Sequence, residues 1–187
     1  MSDPNRLIVG ISGASGAIYG VRLLQTLKEL PVEAHLVMTR TAEITLAHET
    51  ALKVAEVQAL ADKVHRIDDL AAAISSGSFR TGGMIVAPCS MRSLGEIAGG
   101  ISSNLLTRAA DVVLKERRRL VLLVRETPLH AIHLRNMMRL AEAGAVIAPP
   151  VPAFYNRPKT LDDMIDHTIG RVLDLFDLDT GKVKRWS

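Results

Sequence analysis

Residues 6–30, RLIVGISGASGAIYGVRLLQTLKEL, decide the fold. Arg6 to Ile11 is a near-continuous apolar run ending in glycines, and from Ala17 to Leu30 apolar residues recur at helical spacing. This is a strand, a glycine-rich turn and a helix. Outward from it the alternation continues with a strand over Ala34 to Met38, a helix around Ala42 to His48 and a short apolar segment near Val64. A loop over Ser75 to Gly83 leads to a strand over Met84 to Ala87, then to helical patterns over Leu94 to Ala98 and Leu105 to Glu116. A strand over Leu120 to Val124, a helix over Ala131 to Ala143, a strand over Ala145 to Ala148 and a helix from Leu161 to about Phe176 complete the series. Buried strands alternating with helices predict a doubly wound α/β fold: a mostly parallel sheet with helices on both faces, of the Rossmann/flavodoxin-like kind. Ligands of such sheets bind beyond the carboxyl ends of the strands, where the strand order reverses.

The 187 residues, 48% of them hydrophobic, suit one domain over 1–187 with a tail from about 177. The net charge of +3 is mild, and the densest basic run, KERRR at 115–119, contains a glutamate and closes a helix whose dipole it complements. Without a broad basic stripe and interleaved aromatics, nucleic acid is not an expected partner. No apolar stretch approaches the roughly 18 residues of a membrane span, and MSDPNR carries no signal-peptide pattern, so a cytoplasmic protein that does not enter a membrane is expected. The lone Cys89 forbids an internal disulfide and a cysteine-rich metal site.

The loop from Gly10 to Ala17 spaces glycines three apart with serines between them and opens a helix, so its backbone N–H groups can face an anion. It lacks a P-loop lysine and the G-x-G-x-x-G spacing, and Thr39-Arg40 stand where a dinucleotide fold would place an acid; a mononucleotide phosphate fits better. A plain strand-to-helix turn is the bland alternative. At the same sheet edge the segment from Ala87 to Ser93 offers a second wall of small polar groups. Cys89 within it has no histidine partner and reads as a small hydrophobe. Arg108 and Lys115 share a helix face and could grip one phosphate, although Asp111 between them also fits an ordinary salt-bridged surface. Asp162, Asp163 and Asp166 match the DDxxD magnesium–diphosphate pattern, yet Thr160 before them makes a helix cap the simpler reading, and no metal is expected. His130, His133 and His167 are scattered and do not form a ligand set.

In order and spacing, GISGASGA (10–17), APCSMRSL (87–94), RAADVVLKERRRLVLLVRETP (108–128), IHLRNM (132–137) and PAFYNRP (152–158) resemble the UbiX-type flavin prenyltransferase family over nearly the whole chain. Related flavin-dependent cysteine decarboxylases carry a Pro-Ala-Ser-Ala-Asn-Thr type segment where this chain has APCSMRSL. The resemblance implies FMN as cofactor and substrate, held by Gly13, Ala14, Ser15, Thr39, Ser90, Met91, Arg92, Ser93 and Arg125. It implies dimethylallyl monophosphate as donor, its phosphate surrounded by Arg108, Lys115, Glu126, Tyr155 and Arg171. Ser15, Glu49, Lys115 and Glu126 are the implied catalytic residues. It further implies a homododecamer built from trimers, and a UbiD-type decarboxylase as recipient of prenylated FMN. Thr39 replaces a serine frequent in the family, and the segment from Thr50 to Gly83 is shorter than in some members. An FMN-dependent carboxylic acid decarboxylase and a flavin-delivery subunit remain the alternatives.

Overall fold

The computed structural model describes residues 6–181 and 183; the first five residues and part of the expected tail (182 and 184–187) lie outside the described residues. Six strands, β1 (Arg6–Ile11), β2 (Glu33–Met38), β3 (Lys63–His65), β4 (Gly83–Cys89), β5 (Arg119–Val124) and β6 (Val146–Ile147), form one sheet in the order β3-β2-β1-β4-β5-β6. Every pairing is parallel, beyond the mostly parallel sheet expected. Between the strands run α1 (Ala17–Lys28), α2 (Arg40–Glu49), α3 (Val54–Gln58), α4 (Met91–Ala98), α5 (Leu105–Lys115) and α6 (Ala131–Glu142), with α7 (Leu161–Asp174) after β6.

The central strands are apolar without alternation because both of their faces are covered. On one face, Leu23, Leu24 and Leu27 of α1, Leu46 of α2 and Ile169 and Leu173 of α7 pack with Val9, Leu36, Ile85 and Val121. On the other, Leu94 of α4, Leu106 and Ala109 of α5 and Leu140 of α6 pack with Ile8, Val86 and Leu122. Helices α5 and α7 therefore lie on opposite sides of the sheet. Each fully buried leucine contributes about 1.5–3 kcal/mol.

The differences from the expected elements have local causes. Helix α3 and the three-residue strand β3 fall where only an apolar segment near Val64 was expected; β3 is an edge strand, Val64 is exposed, and one-sided burial leaves little pattern to read. Strand β4 extends to Cys89 through the cis Ala87–Pro88 bond, with a register shift between Val86 and Cys89. Strand β6 is two residues rather than four, and α7 stops at Asp174.

The strand order reverses between β1 and β4, whose following helices α1 and α4 leave on opposite faces. A crevice opens there at the carboxyl edge of the sheet. Among the described residues no helix is long and apolar enough to cross a membrane.

Candidate active site

Ser12 fastens the two sides of the crevice together. Its buried hydroxyl donates to the Pro88 carbonyl at 2.9 Å and accepts from the Ser90 N–H at 2.7 Å, locking the loop after β1 to the loop after β4. Sequence reasoning passed over Ser12, since a serine in a glycine-rich loop carries no sign of which way it points. Gly13 is required by close approach: a Cβ there would press into the Thr41 side chain and stand 3.1 Å from its carbonyl carbon. Gly16 adopts φ +99°, the left-handed region that favours glycine, and starts α1.

The N–H groups freed at that helix start do face an anion, and the anion is internal. The Glu49 carboxylate accepts from Gly16 N–H at 2.8 Å and Ala17 N–H at 3.0 Å. An acid at the carboxyl end of α2, unfavourable for its own helix, thus caps the amino end of α1. Burial pushes the Glu49 pKa up, but hydrogen bonds from the Ser15 hydroxyl and the two N–H groups, with the charge of Arg125, hold it below the usual glutamate value. Ser15, Glu49 and Arg125 are in this way brought together. Arg125 follows β5, and its buried Nε has no hydrogen-bond partner within the protein. An unpaired buried guanidinium N–H is costly, and it fits an acceptor supplied by a bound molecule.

An anion from outside is offered other helix starts. Thr39 caps α2, its hydroxyl accepting from Ala42 N–H at 3.1 Å, and Ser90 caps α4, accepting from Ser93 N–H at 3.2 Å. Between them lies a recess of about 200 Å³ whose lining includes Thr39, Arg40, Thr41, Ser90, Arg92 and Ser93. Met91, at the start of α4, packs on the core rather than into this recess. On the glycine loop, by contrast, Glu49 already occupies the Gly16 and Ala17 N–H groups.

The residues expected around a second phosphate are not brought together within one chain. Arg108 and Lys115 lie on α5, on one side of the sheet; Arg171 lies on α7, on the other. Lys115 ends α5 just before β5 begins, whereas Arg125 and Glu126 follow the far end of that strand. Arg108 donates to Asp111 at 2.8 Å and to the Ser75 carbonyl at 3.2 Å, so the salt-bridged reading of that pair holds for Arg108, while Lys115 pairs with Glu116. Glu126 is exposed and accepts from Thr127 N–H at 3.0 Å. The Tyr155 hydroxyl meets His167 Nε2 at 2.9 Å. Burial, with the charge of Arg171 one turn later, lowers the His167 pKa; Arg171 donates to Asp174 at 2.7 Å.

The DDxxD segment is accounted for by structure. Asp163 accepts from Lys159 N–H at 2.8 Å and Thr160 N–H at 3.0 Å, while the Thr160 hydroxyl accepts from Asp163 N–H at 3.1 Å, the reciprocal cap read from the sequence. Asp162 and Asp166 both bind Arg22 of α1. Cys89 is fully buried and its thiol is pushed up to about 12 by that burial, as suits a core residue.

Comparison with known proteins agrees with this geometry. The profile of the family described as Flavoprotein matches residues 1–176. The chain is 63% identical over 172 residues to the flavin prenyltransferase UbiX of Escherichia coli K12, covering 91% of each chain. A crystal structure of AnUbiX in complex with FMN and dimethylallyl pyrophosphate superposes with a TM-score of 0.97 at 55% identity, covering 99% of this chain and 98% of that one. A dodecameric FMN-dependent UbiX-like decarboxylase from E. coli O157:H7 superposes with a TM-score of 0.96 at 54% identity, covering 97% and 99%.

Proposed function

This chain belongs to the flavoprotein family and, within it, to the UbiX-type flavin prenyltransferases, and we propose that it joins the dimethylallyl group of dimethylallyl monophosphate to N5 and C6 of reduced FMN. The product, prenylated FMN, serves a UbiD-type decarboxylase. In the structure the reading is carried by the cluster of Ser15, Glu49 and Arg125 at the strand-order switch point, beside a recess capped by Thr39 and Ser90.

In this reading Gly13, Ala14 and Ser15 give the flavin a close backbone surface, Thr39, Ser90, Arg92 and Ser93 hold its phosphate, and the unpaired Nε of Arg125 donates to the ring system. When bound, the reduced flavin supplies the nucleophilic nitrogen. Arg108, Lys115 and Arg171 meet the charge that grows on the departing phosphate, the task a magnesium ion would otherwise perform. The Tyr155 ring offers its face to the allyl fragment as that fragment gains positive character. Glu49, kept ionised, and the Ser15 hydroxyl bonded to it accept and pass the protons released when the ring closes, with Glu126 as a further acid-base group.

The separation of Arg108 and Lys115 from Arg171 on opposite sides of the sheet supports a donor site shared between copies. One copy contributes α5, another the carboxyl edge of the sheet with α7. Exposed apolar side chains supply the contact surface: Ile132 is 60% exposed, Met138 56% and Phe154 69%. We place the protein in the cytoplasm as a homododecamer. A second reading comes from the dodecameric relative described as a decarboxylase; it predicts loss of carbon dioxide from an acid with the flavin unchanged. Incubation with reduced FMN and dimethylallyl monophosphate, followed by the mass of the released flavin, separates the two.

A further inference from the structure

The segment running from Ser75 to Phe79 is held along its length by the helix that carries Arg108 and Lys115 and by the residues just after it. The Ser75 carbonyl accepts from Arg108 Nε at 3.2 Å. Gly77 sits so close to the Lys115–Glu116 pair that a Cβ there would lie 2.8 Å from Lys115 Nζ. Arg118, which belongs to neither α5 nor β5, reaches over and donates from Nη1 to the Phe79 carbonyl and from Nη2 to the Gly77 carbonyl, each at 2.7 Å. A planar guanidinium bridging two carbonyls two residues apart fixes that backbone in position and orientation. The cations contact the segment in turn: Arg108 at its start, Lys115 at its middle through Glu116, Arg118 at its end.

Resting on the reading that Arg108 and Lys115 meet the donor phosphate, we propose that Arg118 is a positioning residue for prenyl transfer. By clamping the backbone from Gly77 to Phe79 it presents the Ser75 carbonyl to Arg108 and seats Gly77 against the Lys115–Glu116 pair, so both cations are aimed before the donor arrives. Arg118 itself does not touch the donor. The half-buried Arg118 cannot be replaced by lysine without loss, because one ammonium does not span both carbonyls with the same planar geometry.

The test compares R118A, R118K, R108A and the double variant R108A/R118A in the full-length protein. It measures KM for dimethylallyl monophosphate, kcat and the FMN dissociation constant, with light scattering to confirm assembly. R118A should raise the donor KM about tenfold, the equivalent of ~1.4 kcal/mol, with kcat and FMN affinity unchanged, and R118K should fall between R118A and the parent. In the R108A background, adding R118A should raise KM much less than it does alone, because its effect passes partly through Arg108. If R108A leaves the donor KM unchanged, the donor-phosphate reading itself fails. If R108A raises KM but R118A leaves it unchanged, or multiplies it by the same factor in both backgrounds, only the positioning role fails. A drop in kcat and FMN affinity with loss of assembly in both R118A and R118K also overturns it, by showing a residue that supports the fold alone.

Discussion

Gly13 offers a direct probe of the cradle, because replacing it by alanine is allowed by the backbone and refused by packing. Gly13 does not occupy the left-handed region, so alanine meets no conformational penalty of that kind. Its methyl group would instead drive into Thr41, whose Cβ is fixed to the first turn of α2 and cannot rotate away. Overpacking of this kind costs about 1–3 kcal/mol, and relief comes from spreading the glycine loop away from the start of α2. That is the gap the flavin is proposed to span. If the strain is expressed in binding, at ~1.4 kcal/mol per factor of ten, the FMN dissociation constant of G13A rises roughly 5- to 140-fold. Titration of apoprotein with FMN, followed by flavin fluorescence, measures it. The double variant G13A/T41G removes the clashing side chain and should recover most of the affinity. Parental FMN affinity in G13A, or no recovery in the double variant, would refute the steric account.

Three further outcomes are expected. Glu49 has a depressed pKa, so its stabilising contribution is present above the ordinary glutamate range near 4.3 and is lost as pH falls through the lower folded-state value; the stability gap between parent and E49Q, from urea melts, should be constant at neutral pH and shrink on acidification. Because Asp162, Asp163 and Asp166 are engaged in capping and in binding Arg22, prenyl transfer should survive EDTA and D163N should keep the parental rate with slightly lowered thermal stability; activity killed by chelator and restored by magnesium would contradict this. K115A and R171A should each bind FMN but fail in prenyl transfer, and oligomers reassembled from an equal mixture should regain activity in roughly one quarter of their sites, those taking one intact residue from each parent. An inactive mixture with confirmed subunit exchange would place both residues in one chain's site.

Most of the fold was legible in the amino-acid sequence, because burial on both faces leaves β1, β4 and β5 as apolar runs and one-sided packing leaves α1, α5 and α7 with clear helical spacing. The edges were not. Strand β3 is exposed at Lys63 and Val64, so burial imposes no pattern on it. In the candidate site, motif order pointed to the residues, and the cap read at Thr160 is present as expected. What sequence could not convey was direction. Nothing in GISGASGA says that the Ser12 hydroxyl turns inward to Pro88, or that the free N–H groups of α1 are taken by Glu49 from a helix more than thirty residues away. Arg108, Lys115 and Arg171 look alike as members of one phosphate site, and only the structure shows that their helices pack on opposite sides of the sheet.

The central claim is the chemistry itself, and the mass of the flavin tests it most directly. The full-length protein is incubated anaerobically with reduced FMN and dimethylallyl monophosphate, the small molecules are released by denaturation, and the flavin is weighed. The account predicts a flavin heavier than FMN by one five-carbon prenyl unit, formed without added metal and absent when the donor is omitted. Recovery of unmodified FMN alone, from protein shown to bind the flavin and to be assembled, would contradict it.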